Sequence, residues 1–329
     1  MNIWLNYSEI IEKTLIKAQN TIKDRYFKGN HSELDKNAFG DMQYEIDVLA
    51  ERTILKEIKK DIPGSTIVSE ETGIIEGNNN IFVLVDPLDG SLNSVRQIPF
   101  FSSTIAIAKG EKFSDIIASG VIDIIQGDLY LGELQKATVN DLTIKPNNIE
   151  KLNEAVIAVD LNIRSENARK SYGHMQKIFE KTKAQRILGS AIIENVFVAT
   201  GKIDAFIAPS KQLRTFDCLP AMYIGKCSGI FIEFLNEQND FDILSKEGVS
   251  YVTACTEVLG NNILNEIDYH KWYQMLEERS AGVVLFNRAE GLQFLVLKYP
   301  SGHWDFVKGN IEQGEKEEET VKRELFEET

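Results

Sequence analysis

Two stretches near the start of the chain repeat apolar residues at helical spacing. Ile3, Tyr7, Ile10, Ile11, Leu15, Ala18 and Ile22 fall on one face of a helix whose other face carries Lys and Glu. After a polar stretch from 28 to 40, Ile46, Leu49, Ala50, Ile54, Leu55 and Ile58 predict a second helix, closed by Pro63-Gly64. The pattern then changes. Thr66-Ile67-Val68 predicts a short strand that delivers Ser69-Glu70-Glu71, and the fully apolar run 81–85 predicts a buried strand that delivers Asp86. From 101 to 133, β-branched residues interrupted by Lys109-Gly110 and Gln126-Gly127-Asp128 predict consecutive antiparallel strands. This half reads as helices laid on a sheet, an α+β lobe.

Beyond Lys145-Pro146-Asn147-Asn148 strand and helix alternate. The pattern predicts strand 155–159, helix about 165–181, helix 190–200, strand 205–207, a helix from Asp217, strand 230–234, strand 251–255 and a long helix to about 279. That alternation is the signature of an α/β lobe. A fresh start at Ala281-Gly282-Val283-Val284-Leu285-Phe286, a second apolar run at 292–297 and a charged C-terminus put a boundary near 278. The expected division is 1–148, 149–278 and 279–329.

Charge and composition narrow the partners. A formal net charge of -14 leaves no basic field for nucleic acid or an anionic membrane, so a phosphate substrate would need local help from bound cations. No apolar run approaches the roughly 20 residues that span a bilayer, and the N-terminus reads as a core helix rather than a signal peptide. Cys218, Cys227 and Cys255 are scattered and form no C-x-x-C pair, which fits a reduced, cytoplasmic setting.

The candidate chemistry is acidic. Asp86 and Asp89 stand three apart across Pro87-Leu88, in a turn expected to leave the strand and lead into Gly90-Ser91-Leu92-Asn93. Such a turn can aim two carboxylates into one pocket, and hard divalent cations take oxygen ligands. Glu70 and Glu71 come from the neighbouring strand end; Asp217 follows Arg214-Thr215-Phe216 at a loop-to-helix junction. Taken singly, each has a structural explanation: Asp-Gly is a common turn, Asp a common helix cap, Glu-Glu a solvated loop.

Taken together, these segments resemble the inositol monophosphatase family, over about residues 5–275. That family lies in the Mg2+-dependent, lithium-sensitive phosphatase superfamily that also holds fructose-1,6-bisphosphatases. One signature of the family, an apolar strand followed by D-P-[IL]-D-G-[TS]-x-N, is met by Asp86 through Asn93, and its upstream Glu-Glu by Glu70-Glu71. The second, an aromatic-Asp opening a helix that leads to a glycine and a strand, is met by Phe216-Asp217 through Gly229. Gly189-Ser190-Ala191 and Ala199-Thr200-Gly201-Lys202-Ile203-Asp204-Ala205 are similar to the family's substrate loop and following segment. The resemblance implies a layered αβαβα sugar-phosphatase fold, with a metal-binding lobe at 1–148 and a substrate lobe at 149–278. It implies that Glu70, Asp86 and the Leu88 carbonyl hold one Mg2+, that Asp86, Asp89 and Asp217 hold a second, and that Asp47 assists a third, weaker one. Glu70 and the Ser91 hydroxyl would orient the attacking water, with Asp89 also counted in the catalytic set. Gly90, Ser91, Gly189, Ser190, Ala191 and Arg214 would bind a small phosphorylated substrate. A homodimer is the family's common state.

Two departures bear on the substrate. Ser94 stands where an aromatic often follows the motif's Asn, and Ser210 where many inositol-phosphate enzymes carry an acid. Arg214 is closer to the archaeal type, in which a basic residue in this stretch can meet a second phosphate. Inositol monophosphate or a related sugar phosphate is the leading expectation, with fructose-1,6-bisphosphate or a nucleotide 3'-phosphate as alternatives.

The tail carries different chemistry. Gly309, Glu315 and Arg323-Glu324-Leu325-Phe326-Glu327-Glu328 have the spacing of a Nudix box, and with His303-Trp304-Asp305-Phe306-Val307-Lys308-Gly309 they resemble the diadenosine tetraphosphate hydrolase branch. Glu324, Glu327 and Glu328 fall on one helical face, suited to Mg2+. The stretch given stops at Thr329, before the Gly and aliphatic residue that end the box, so an incomplete Nudix α/β/α segment, inactive in this polypeptide, is expected. A diadenosine tetraphosphate hydrolysis assay should therefore detect no turnover; Mg2+-dependent hydrolysis abolished by Glu328→Gln would contradict it.

Overall fold

The computed structural model of the protein describes residues 6–29, 32–38, 40, 42–161, 169, 172, 173, 175–235, 240–267, 280–289, 291–298, 304–311 and 314–328. The chain divides into two compact units, Met1–Asp268 and Tyr269–Thr329.

Both predicted N-terminal helices form, as α1 (Tyr7–Lys28) and α2 (Glu45–Asp61). The Asn6 side chain caps α1 by accepting the Glu9 N–H at 3.3 Å, which satisfies one of the donors a helix start leaves open. Ile10, Ile11, Leu15, Ala18 and Ile22 of α1, with Ile46, Ala50, Ile54 and Ile58 of α2, are buried against the first sheet. The stop of α2 comes at Asp61, before Ile62 and Pro63, because a residue preceding proline is pushed out of the helical region. The polar stretch between the helices is not simply a loop: β1 (Glu33–Lys36) and β2 (Met42–Tyr44) pair as an antiparallel hairpin.

The first sheet has eight strands. They are β3 (Thr66–Ser69), β4 (Gly73–Ile75), β5 (Phe82–Asp89), β6 (Ser102–Ala108), β7 (Ile116–Asp123), β8 (Leu129–Glu133), β9 (Lys136–Val139) and β10 (Leu142–Thr143), in spatial order β10-β9-β8-β7-β6-β5-β3-β4. Only the β3/β5 pair is parallel. The consecutive antiparallel strands expected over 101–133 are present, and β4, β9 and β10 extend the sheet through short segments with little apolar signal.

The second sheet contains β11 (Val156–Val159), β12 (Ala184–Arg186), β13 (Ala205–Leu213), β14 (Phe231–Phe234) and β15 (Val249–Ala254), in order β12-β11-β13-β15-β14. After the short α3 (Ser91–Val95), the helices of this half are α4 (Gln176–Lys181), α5 (Ala191–Ala199), α6 (Thr215–Ser228) and α7 (Glu257–Ile267). The start of the helix predicted at 165–181 and the end of the one predicted to 279 lie outside the described residues. Helices α5 and α6 pack on both sheets, while α7 covers the outer side of the second and α4 lies against it. The result is the expected αβαβα layering. Because α6 is enclosed on all sides, Phe216, Cys218, Leu219, Ala221, Met222 and Ile224 are all buried. The two expected lobes share this middle layer and form one unit; the boundary expected near 278 falls outside the described residues.

In the C-terminal unit, β16 (Ser280–Val283) pairs antiparallel with β21 (Val307–Asn310), and α8 (Glu317–Glu328) packs on both. The two-residue strands β17 to β20, between 286 and 305, pair as β17/β18 and β19/β20. Among its described residues Val307 is the apolar side chain that is buried, whereas Phe286, Phe294, Trp304 and Phe326 are exposed.

Gly120 of β7 lets α1 sit directly on the sheet: a Cβ there would collide with Ile11 and press on Leu15 and Leu131. Gly120→Val should destabilise the fold by about 1–3 kcal/mol through overpacking. Denaturant unfolding measures this, and an unchanged midpoint would contradict the packing described.

Candidate active site

The position of Asp86 and Asp89 follows from one irregularity in β5. Residues three apart on a regular strand face opposite sides of the sheet. Here Asp86 pairs with Thr104 and Asp89 with Ser102, so β5 holds one residue more than β6 between the two pairs. Pro87 sits in that gap; it has no N–H for the ladder, and a bulge is where a sheet interior tolerates it. The Ser103 hydroxyl donates to the Pro87 carbonyl at 2.5 Å. The extra residue brings both carboxylates to one side. The strand thus continues through Asp89 instead of ending at Asp86, and the expected Pro-Leu turn is a bulge within it.

Gly90, at φ 87°, turns the chain into α3. A Cβ at Gly90 would crowd the Phe100 and Gly189 carbonyls, so the motif backbone lies directly against the 188–190 loop. Asn93 Nδ2 ties the two together, donating to Phe100 O at 2.9 Å and Leu188 O at 2.8 Å. Ser91 Oγ donates to the Leu88 carbonyl at 2.8 Å.

Glu70 arrives from the end of β3, the parallel neighbour of β5, its N–H donating to Val85 O at 3.3 Å. Arg214 and Asp217 come from the junction of β13 and α6. The β13/β15 register slips between Ala208 and Leu213, with Lys211 at φ 50°, which turns the strand end toward α6. Arg214 caps α6 and Asp217 reaches back to accept its N–H at 2.7 Å.

These segments enclose a cavity of about 380 Å3 lined by Met42, Tyr44, Glu70, Asp86, Leu88, Asp89, Gly90, Ser91, Leu92, Gln212, Leu213, Arg214 and Asp217. Eight residues singled out from the sequence therefore converge. Asp47 is not on the wall but lies buried beside it. Gly189, Ser190 and Ala191 are placed behind Asp89 rather than on the wall. Ser190 Oγ donates to Asp89 Oδ2 at 2.5 Å and the Ile192 N–H to the same oxygen at 2.8 Å, so the start of α5 holds Asp89. Met42, Tyr44, Gln212 and Leu213 carry no motif and were missed, as was Leu92 at the motif's variable position; the hairpin bearing the first two has no periodic apolar signal.

In the C-terminal unit, Gly309 lies so close to the Glu324 carboxylate that a Cβ would overlap it. Arg323 pairs with Glu315 at 3.0 Å, with Glu324 at 2.5 Å and with Glu327 at 3.5 Å. The Nudix-like residues are thus neighbours in space; the Glu328 side chain lies outside the described residues.

Burial dominates the electrostatics of the cavity, and like charge adds to it at Glu70 and Asp86. Burial pushes the Glu70 carboxyl well up, and Asp217, Glu71 and Asp47 push it further, against a partial offset from Arg214. Burial, then Glu70, Asp89 and Asp217, do the same to Asp86. Asp89 rises from 3.8 to about 6 through burial, held back by Ser190 and the backbone N–H of Ile192. Asp47 rises from 3.8 to about 7 through burial and the charge of Glu71, against the Tyr44 N–H donor and the nearby Ser91 hydroxyl. Its Oδ1 is buried without a hydrogen-bond partner.

Among the described residues no three acidic, histidine or cysteine side chains already close on one point at metal-ligand spacing. Three of the four cavity carboxylates rest on protein donors: Asp86 Oδ1 on the Leu88 N–H at 3.0 Å, Asp89 on Ser190 and Ile192, Asp217 on the Arg214 N–H. The donor set is nonetheless all oxygen, clustered, buried and strongly anionic, which matches the preference of a hard divalent cation. The orphaned Asp47 oxygen fits the same chemistry.

The family match and the relatives named as phosphatases make this chain a phosphoric monoester hydrolase. The chain belongs to the inositol monophosphatase family, whose model matches residues 6–261, and a NUDIX domain model matches residues 276–329. The fructose-1,6-bisphosphatase/inositol-1-monophosphatase of Thermococcus kodakarensis is 26% identical over 263 residues, covering 79% of this chain and 96% of that protein. The Nus factor SuhB of Haemophilus influenzae is 26% identical over 239 residues, 71% of this chain and 86% of its own length. Among solved structures, the extragenic suppressor protein suhB from Bartonella henselae superposes with a TM-score of 0.70 at 23% identity, over 79% of this chain and 97% of its own. The Thermotoga maritima IMPase gives 0.67 at 22% identity, over 80% and 96%. Among the described residues no helix is long and apolar enough to cross a membrane.

The raised carboxyls set a stability profile. Asp47 and Asp89 keep, in the folded state, protons that the unfolded chain releases above about pH 4, so their contribution is fully present below that pH. It is lost as pH rises through about 6 and about 7. In a chelator the melting temperature should fall between about pH 5 and about pH 7.5, and Asp47→Asn should flatten the fall. A profile that is flat in the unsubstituted chain, or unchanged by the substitution, would contradict the burial of these acids.

Proposed function

We propose that this chain hydrolyses a phosphate monoester of inositol or a related sugar with two Mg2+ ions in the acidic cavity, and a third, weaker one assisted by Asp47. The observation that carries the reading is the convergence of Glu70, Asp86, Leu88, Asp89 and Asp217, from three separate segments, on one cavity. The family is generally Mg2+-dependent, which supports the choice of cation. Glu70, Asp86 and the Leu88 carbonyl would hold one ion, and Asp86, Asp89 and Asp217 the other. When bound, the ions would neutralise the buried charge, activate a water and stabilise the leaving alkoxide.

The chain's own groups divide the remaining work. Glu70 and the Ser91 hydroxyl orient the water. The N–H groups of Gly90 and Ser91, at the start of α3, would cradle the phosphate oxygens. Ser190 and the start of α5 hold Asp89 in place. Glu71 stays out of the cavity wall and supports the site from behind, its carboxylate taking Gln43 Nε2 at 2.6 Å.

Arg214 on the wall favours a second reading, fructose-1,6-bisphosphate, since it can meet a second phosphate of the substrate. Relatives named as both fructose-1,6-bisphosphatase and inositol-1-monophosphatase support keeping both sugars in view. A nucleotide phosphate is the third candidate, supported by the bifunctional NADP phosphatase/NAD kinase of Methanococcus maripaludis, 29% identical over 231 residues covering 62% of this chain and 39% of that protein.

Phosphate release with Mg2+ from inositol-1-phosphate, fructose-1,6-bisphosphate, 3'-phosphoadenosine 5'-phosphate and NADP+ ranks these substrates. Asp86→Asn and Asp89→Asn should each lower turnover of the preferred one by on the order of 10²-fold or more, as expected for loss of several kcal/mol of charge stabilisation. Turnover unchanged in both variants would remove the metal assignment.

A further inference from the structure

Two adjacent glutamates, Glu70 and Glu71, stand at the same turn, yet only Glu70 lines the cavity. The selection is made from outside the turn. Glu51, on the buried face of α2 one helical turn beyond Asp47, is 5% exposed. Its Oε1 accepts from Ser69 Oγ at 2.5 Å and from the Thr72 N–H at 3.0 Å, and its Oε2 accepts from Thr72 Oγ1 at 2.6 Å. Ser69 and Thr72 are the residues immediately before and after the glutamate pair. One carboxylate therefore pins both ends of a two-residue segment. On the outer side, Gln43 Nε2 holds the Glu71 carboxylate and the Glu71 carbonyl accepts the Ala38 N–H at 3.1 Å. With the segment fixed at both ends, the two neighbouring side chains diverge, one into the cavity and one toward the β1/β2 hairpin.

We propose that Glu51 is a positioning residue that fixes Glu70 as the cavity carboxylate by clamping Ser69 and Thr72, and so sets the cation affinity of a site it does not line. The proposal rests on the reading of that cavity as a Mg2+ site. A buried carboxylate with three donors is too costly to retain as an ordinary helix acid unless those donors are fixed in place, and here they belong to the segment that carries Glu70. Asp47 and Glu51 thus give α2 two buried acids on successive turns, one beside the cavity and one behind its edge.

The test is calorimetric titration of Mg2+ into the full chain, with the unfolding midpoint recorded for each variant. Glu51→Ala removes all three acceptors and should raise the apparent Kd for Mg2+ by about 10–100-fold, the range for groups that orient metal ligands from behind. Glu51→Gln keeps the oxygen shared by Ser69 and Thr72 and lets the Thr72 hydroxyl turn to accept, so its rise should be smaller. Glu57→Gln, on the same helix but paired with Lys17, should leave the Kd unchanged. If Glu51→Ala does not fold, Thr72→Val carries the test, because it deletes the single bond to Oε2 and should still raise the Kd. A lowered midpoint with unchanged Kd in Glu51→Ala, or an unchanged Kd in Thr72→Val, would overturn the proposal. No saturable Mg2+ binding by the unsubstituted chain would instead remove the cavity reading itself, and the role of Glu51 with it.

Discussion

Repulsion among buried carboxylates is the constraint around which this molecule is arranged. Glu70, Asp86, Asp89 and Asp217 share one cavity; burial pushes the first three upward in pKa, and mutual charge adds to it at Glu70 and Asp86. An isolated ionised carboxylate is expensive to bury, and several in one place multiply the cost unless opposite charge is supplied. Arg214 is the cation on the wall and offsets part of the effect at Glu70. The rest of the structure holds the acids in place against their repulsion. The β5 bulge at Pro87, the hydrogen bonds from α5 to Asp89, the reach of Asp217 back to the Arg214 N–H and the Glu51 clamp each fix one carboxylate by a different element. A site that has to gather negative charge needs this number of supports, and an all-oxygen set of this kind suits a hard divalent cation.

That arrangement also accounts for the layers. The carboxylates stand at the ends of β3 and β5 in the first sheet and at the β13/α6 junction in the second half, so the cavity exists only because the middle helices join the two sheets. The packing of α6 between the two sheets brings Asp217 to the same cavity as Glu70 and Asp86.

Much of this was legible in the sequence where chemistry coincides with spacing. The apolar faces of α1 and α2, the strand pattern after Phe101, and the run from Asp86 to Asn93 with Glu70 and Asp217 all point to the architecture and to the acids that converge. Long-range, one-off contacts left no such trace. Glu51 reads as one more acid on a charged helix, and nothing local reveals that Ser69 and Thr72 reach it. The β1/β2 hairpin that supplies Met42 and Tyr44 is too short and polar to show a period, and Pro87 reads as a turn because a bulge within a buried strand depends on its partner. Gly189, Ser190 and Ala191 carry a substrate role by resemblance; the sequence does not show that Gly189 abuts the motif loop or that Ser190 holds Asp89. The C-terminal unit reverses the balance: the spacing of Gly309, Glu324 and Glu327 is plain in sequence, while the described residues bury a single apolar side chain.

The most direct test of the central claim is the anomalous difference density of a crystal of this protein grown with Mn2+ in place of Mg2+. The account predicts peaks in the cavity with Asp86 as a shared ligand, flanked by Glu70 on one side and by Asp89 and Asp217 on the other. Density absent from the cavity at saturating Mn2+, or confined to sites that do not involve Asp86, would contradict it.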